Sequence, residues 1–281
     1  MVDFPLTAKA RKCGNGWIDI CPAHDDSKPS LSVSVGAHGQ LLLYCFAGCE
    51  FSDIVSAAGL NNRAWQATPN SEDRKLQIRQ QELDAANKLA RCHQIWRQGQ
   101  PIEGTLSQIY LMSRGITIWS DSQRHHAGLT YSLSGEKLPV LLTAVQCNGK
   151  LVGLHRTFLN QDGTKRDKLM LGRVKGGSAQ LFGREGTLFV SEGIETAMSL
   201  QMLNPEIGGR QWAALSCSGM KSLILPSQTD QLIIAADGDK PGLEAANALG
   251  DRAARLGWDV LLLAAPDGQD WNDVLMEALN D

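Results

Sequence analysis

No apolar run in the 281 residues approaches the roughly 18 needed to cross a bilayer. The opening Met1-Val2-Asp3-Phe4-Pro5 lacks the basic-then-apolar design of a secretory signal. Together these absences lead us to expect a cytoplasmic protein with no membrane partner. No Gly-x4-Gly-Lys-Ser/Thr occurs, so the chain holds no P-loop motor. Aromatic residues make up only 6%, and none of the three tyrosines, Tyr44, Tyr110 and Tyr131, stands in a context that marks a covalent nucleophile. Seven cysteines, an odd number unevenly spread, argue against a disulfide framework and for one metal cluster plus reduced thiols. The length allows two or three domains, and 43% hydrophobic content is ordinary for a globular chain.

Two stretches of the last third carry the chemistry. One is Leu188-Phe189-Val190-Ser191-Glu192-Gly193-Ile194-Glu195-Thr196; the other is Leu232-Ile233-Ile234-Ala235-Ala236-Asp237-Gly238-Asp239. Each is a short apolar run that ends in acid and glycine and passes into a helical pattern. That is how a buried parallel strand delivers carboxylates to its C-terminal end, where open α/β sheets bind ligands. Several carboxylates at one edge repel unless a cation lies among them, and a hard divalent ion, Mg²⁺ or Mn²⁺, suits oxygen donors. Asp-Gly-Asp taken alone also reads as a simple turn. Strands over 212–216, 232–236 and 259–264 and helices over 196–203 and 241–256 extend the β-α alternation into a parallel sheet covered on both faces. Charge is unevenly divided. Residues 150–184 hold eight basic and two acidic side chains, net +6, whereas 185–281 hold five and fifteen, net −10. A basic segment feeding an acidic metal site suits a polyanionic substrate.

The N-terminal 60 residues show a different metal signature. Cys21-Pro22-Ala23-His24 sits in a turn before the alternating Leu31-Ser32-Val33-Ser34-Val35, and Cys45-Phe46-Ala47-Gly48-Cys49 closes the next apolar strand. A turn through 36–39 joins the two strands. Three thiolates and an imidazole, Cys21, His24, Cys45 and Cys49, make a closed tetrahedral zinc set, with Cys13 a rival fourth ligand. A unit this small buries little core, so metal would supply folding energy.

The motif Glu192-Gly193-Ile194-Glu195-Thr196 followed by Asp237-Gly238-Asp239 resembles the toprim domain of primases and topoisomerases, and Pro266-Asp267-Gly268-Gln269-Asp270-Trp271-Asn272-Asp273 resembles its closing motif in primases. The N-terminal unit is similar to the CHC2-type zinc-binding domain of bacterial and phage primases, with Cys-x3-Cys in place of the common Cys-x2-Cys. Tyr110-Leu111-x-x-Arg114-Gly115-Ile116 resembles an element near the start of the primase polymerase core. The resemblance implies an α/β protein: a small β zinc-binding domain at 1–60, a linker and long helix at 61–100, a basic α+β primase core subdomain at 101–183, and a Rossmann-like toprim domain at 184–281.

It further implies a bacterial-type DNA primase of a phage, plasmid or other mobile element. Such an enzyme makes short primers on single-stranded DNA from nucleoside triphosphates, with structural zinc and catalytic Mg²⁺ or Mn²⁺. A helicase partner would be a separate chain. By the same resemblance Glu192, Asp237 and Asp239 hold the catalytic metals, Glu192 being an alternative general base, and Glu195, Asp270 and Asp273 are supporting carboxylates. Arg156, Lys165, Lys168, Lys175, Lys240 and Lys28 are candidate phosphate contacts, the first four on a basic strand and the glycine-rich loop that follows it. Trp17, Tyr44 and Phe46 are candidate base-stacking rings, although Phe46 reads better as core. Cys92 and His93 read as packing residues on the long helix. A toprim nuclease and a non-catalytic DNA-binding accessory protein use the same features and stay open at this point.

Overall fold

The computed structural model describes residues 4–13, 16–26, 29–36, 41–60, 71–206 and 208–280. Lys28 and most of the turn expected through 36–39 lie outside them. The chain divides into two compact units, Met1–Gln81 and Glu82–Asp281.

In the first unit, β1 (Arg11–Cys13), β2 (Gly16–Asp19), β3 (Leu31–Val35) and β4 (Leu41–Cys45) form an antiparallel sheet in sequential order, followed by α1 (Phe51–Ala57). Strict alternation in β3 buries Leu31 and Val33 and turns Ser32 and Ser34 outward. The core is small: Phe4, Leu31, Val33, Leu41 and Ile54 surround Cys21 and Cys45. Buried Asp19 is satisfied by the Thr7 backbone N–H at 2.6 Å and by the Thr7 hydroxyl.

The second unit begins within α2 (Ser71–Gln98). This helix packs through Leu89, Cys92, Ile95 and Trp96, whereas Leu76, Leu83 and His93 are exposed. Helical spacing puts Leu76, Leu83, Ala86, Leu89, Ala90, His93 and Trp96 on one stripe; Leu89 and Trp96 are half-buried, whereas the other five are exposed. Cys92 is core as expected; His93 is not. After α3 (Leu106–Ser113) a four-stranded antiparallel meander follows: β5 (Gln123–Thr130), β6 (Lys137–Cys147), β7 (Lys150–Leu159) and β8 (Lys165–Gly172). Asn148 and Gly149 join β6 to β7 with φ of 49° and 70°, the two left-handed residues of a type I′ hairpin. The stretch expected as a lysine-lined loop is largely β8, an edge strand whose charges suit its unpaired side. The alternation of His155 and Thr157 with Arg156 and Phe158 predicts that only one face of β7 is buried, yet both are covered. Leu154 and Phe158 meet α2, and Leu159 joins the core of α3 and the following domain.

The last part is a five-stranded sheet in the order β13-β12-β10-β11-β9. Its strands are β9 (Ala179–Phe182), β10 (Leu188–Ser191), β11 (Arg210–Ala213), β12 (Gln231–Ala236) and β13 (Asp259–Ala264). All pair in parallel except β9, antiparallel at one edge. The connecting helices are α4 (Ile194–Leu203), α5 (Cys217–Ser222) and α6 (Lys240–Arg255), and α7 (Trp271–Ala278) ends the described chain. Strand β11 stops at Ala213, short of the expected 212–216, because Leu215 already turns with φ of 75°. One face packs Val190, Ile234, Ala245 and Leu249; the other packs Met198, Ile194 and Leu275 against α3 and β6.

Candidate metal centres and nucleic-acid contacts

Strand β10 pairs with both β11 and β12, so Glu192 and Asp237, each one residue past its strand, emerge at the same end of the sheet. The Asp237-Gly238-Asp239 turn is fixed by backbone. Gly238 N–H donates to Gln269 O and Gly268 N–H to Gly238 O, both at 2.8 Å, and a Cβ on Gly238 would strike Pro266 O. Glycine is there because two backbone segments touch. Asp239 caps α6, accepting from Gly242 N–H at 2.7 Å, so one of its oxygens faces a helix N-terminus.

Electrostatics mark Asp237 as the crowded member. Burial first, then the charges of Glu192, Asp270 and Asp239, push its carboxyl up to about 6, with the Thr196 hydroxyl at 3.4 Å pulling the other way. Lys240 does not relieve this crowding: it is 89% exposed and lies 4.0 Å from Glu244. The oxygen donors and their mutual repulsion fit a hard divalent ion. The carboxylates are not drawn into a closed cage; among the described residues only the Cys/His set discussed below gathers three or more donors within 4.8 Å. Cys217, absent from the sequence expectations, donates its S–H to Glu192 Oε2 at 2.9 Å. Burial, then the bond to Glu192, raises that thiol to about 11.

The supporting carboxylates separate. Asp270 lies near enough to act on Asp237 and caps α7 through Asn272 and Asp273 N–H. Asp273 turns back to the Asp270 N–H at 3.0 Å, completing a capping box. Glu195 points away from the acid edge and accepts from the Tyr110 hydroxyl of α3 at 2.5 Å. Burial pushes Glu195 up, but the Tyr110 bond and the nearby His155 and Lys165 hold it below its ordinary value. Glu195, His155 and Lys165 line a cavity of about 30 Å³ with Thr157, Lys168 and Gly193. His155 is driven down to about 4, chiefly by burial.

Among the basic candidates, Lys165 and Lys168 thus reach the neighbourhood of Gly193, beside Glu192. Lys175 is exposed between β8 and β9. Arg156 is turned elsewhere: it donates to Met170 O at 2.9 Å, lies over Phe158 at 5.5 Å and is influenced by Arg91 and Cys92 of α2. A larger cleft, about 640 Å³, lies apart from the acid edge, between β9, the start of β11 and residues 119–122.

In the first unit, Cys21, His24, Cys45 and Cys49 bring their donor atoms within 4.8 Å of one another. A tetrahedron with Zn–S of about 2.3 Å has sulfurs about 3.8 Å apart, so the set fits a structural zinc. His24 Nδ1 faces Cys49 at 3.2 Å and Cys45 at 3.9 Å, while its Nε2 lies 3.7 Å from Asp26. That carboxylate, missed in the sequence although two residues from His24, orients the ring as outer partners of metal-bound histidines do. Burial opposes ionisation of Cys45, but the Cys49 and Ala47 backbone N–H groups bring it down to about 6. Cys13 is exposed on β1 and outside the set. Trp17 packs against the core, whereas Tyr44 and Phe46, each 65% exposed, meet edge to face at 5.2 Å. Phe46 is therefore not core.

Residues 187–281 match the family model of the toprim domain. The chain carries a toprim domain. Residues 86–181 match a domain of unknown function (DUF7146). No curated protein matches the chain. Solved structures similar to it include a DNA primase domain from Pseudomonas aeruginosa, at 16% identity and a TM-score of 0.36, covering 63% of this chain and 70% of that one. The zinc-binding and RNA polymerase domains of the Aquifex aeolicus primase are similar at 17% identity and a TM-score of 0.44, covering 95% and 77%. The primase fragment of the bacteriophage T7 primase-helicase is similar at 15% identity and a TM-score of 0.39, covering 65% and 70%. No helix among the described residues is long and apolar enough to cross a membrane.

Proposed function

We propose that the chain is a DNA primase that joins nucleoside triphosphates into short primers on single-stranded DNA, in the cytoplasm, for replication of a phage, plasmid or other mobile element. The observation that carries this reading is the carboxylate edge: neighbouring parallel strands β10 and β12 deliver Glu192, Asp237 and Asp239 to one end of the sheet, within residues that match the toprim domain. Glu192, Asp237 and Asp239 would hold Mg²⁺ or Mn²⁺. Bound there, the ions would neutralise phosphate charge and make the attacking hydroxyl more acidic. Asp239 keeps its carboxylate oriented by capping α6, and the Thr196 hydroxyl steadies Asp237. Lys165, Lys168, Lys175 and Lys240 would hold template or nucleotide phosphates; Arg156, engaged with Met170 O, serves the meander instead. The zinc unit would offer Tyr44 and Phe46 to unpaired bases. A helicase partner would be a separate chain.

The test supplies single-stranded DNA, labelled nucleotides and Mg²⁺ to the wild type and to Asp237→Ala. Oligonucleotides made by the wild type alone support the proposal. Shortened DNA without synthesis would make it a toprim nuclease, and binding with neither reaction an accessory protein.

A further inference from the structure

The turn between β11 and α5 is more constrained than a sheet connection requires. Leu215 is a leucine in the left-handed region, φ 75°, a conformation disfavoured for L-residues with a Cβ. It is held there by burial of its side chain in the core and by its N–H, which donates to Glu192 O at 2.7 Å. Ser216 accepts from Gly219 N–H at 3.0 Å, and Gly219 has no room for a Cβ because Ala214 O lies against it. Three neighbouring constraints thus fix where residue 217 projects, and its sulfur meets Glu192 Oε2. The same turn grips one glutamate twice, by backbone and by side chain.

We propose that Cys217 is a positioning residue for Glu192: its S–H holds the carboxylate in the orientation that binds the divalent ion. The inference rests on the reading of Glu192 as a metal-holding carboxylate. A thiol suits the task because S–H is a weak donor. It orients the carboxylate while drawing off little of the negative charge that the cation needs. Outer partners of this kind set ligand direction at metal sites generally.

The experiment measures Mn²⁺ affinity of the full chain by electron paramagnetic resonance, together with the Mg²⁺ dependence of primer synthesis. It compares wild type, Cys217→Ala, Cys217→Val, Cys217→Ser and Glu192→Gln. Loss of the donor in the Ala and Val forms should weaken Mn²⁺ binding at the acid edge by about twofold, the lower end of what one hydrogen bond contributes, because S–H is a weak donor. The Mg²⁺ requirement should rise by the same factor, with kcat at saturating Mg²⁺ nearly unchanged, and Cys217→Ser should restore both. Val, close to cysteine in volume, covers the case in which the Ala form does not fold. Unchanged affinity in the Ala or Val form, or a Ser form as impaired as either, would overturn the proposal. Glu192→Gln that binds Mn²⁺ and synthesises primers as the wild type does would instead sink the underlying metal reading.

Discussion

Asp237 is the residue at which the fold holds charge against its own preference. Its folded-state pKa is raised from 3.8 to about 6, by burial and then by Glu192, Asp270 and Asp239. A raised carboxyl favours the folded state below its unfolded pKa, and that contribution is lost as pH climbs through the folded value. Without metal, Asp237→Asn should therefore be more stable than the wild type at pH 7, by about 1 kcal/mol once its partial exposure is allowed for. The advantage should vanish as pH falls from 6 to 4, as denaturant melts across that range would show. An excess of Mg²⁺ should stabilise the wild type and leave the variant nearly unmoved. In the zinc unit, Phe46→Ala removes a ring that is 65% exposed and edge-on to Tyr44. Folding stability should change by no more than about 0.5 kcal/mol. Affinity for single-stranded DNA, read by fluorescence anisotropy, should fall by about 1–3 kcal/mol if a base stacks there.

At the level of the element, the loop that carries Asp237 and Asp239 depends on the loop that precedes α7. Gly238→Ala would place a methyl on Pro266 O and break the paired hydrogen bonds to 268 and 269. A cost of about 2–4 kcal/mol in a urea melt is expected, with synthesis lost, because overpacking adds to broken backbone bonds. Such elements were legible in the chain to differing degrees. The β-α repeats around Glu192 and Asp237 could be read because parallel strands buried on both faces write continuous apolar runs. Asn148-Gly149 between two apolar runs is an equally plain hairpin signal. Strand β8 was not, since Lys165-Arg166-Asp167-Lys168 looks like a solvated loop and its partner β7 lies next to it only after the turn at 160–164. Strand β9, with four residues, is too short for a period. Asp270 and Asp273 read as metal support, yet their spacing of three is also that of a capping box, and Asp273 serves the box. Cys217 has no sequence signal at all: it reaches Glu192, 25 residues away, only because β10 and β11 are neighbours.

Across the whole molecule, two units carry two metal chemistries. Soft donors close on one another in Met1–Gln81, and hard donors line an open edge in Glu82–Asp281. The first unit has a core of few apolar side chains, with Cys21 and Cys45 among them, so zinc belongs to its stability. Chelation, or Cys45→Ser with Cys49→Ser, should make residues 1–60 protease-sensitive while the remainder stays resistant, a pattern that limited digestion with mass analysis would reveal. In the form with Cys45→Ser and Cys49→Ser the second unit should keep its Mn²⁺ affinity, since none of its acids belongs to the Cys/His set.

The central claim is that Glu192, Asp237 and Asp239 share divalent cations. Anomalous diffraction from crystals grown with Mn²⁺ tests it most directly. A manganese peak is expected at the C-terminal edge of β10 and β12, within bonding distance of oxygens of these carboxylates. Manganese found elsewhere, with that edge empty and the three side chains turned apart, would contradict it.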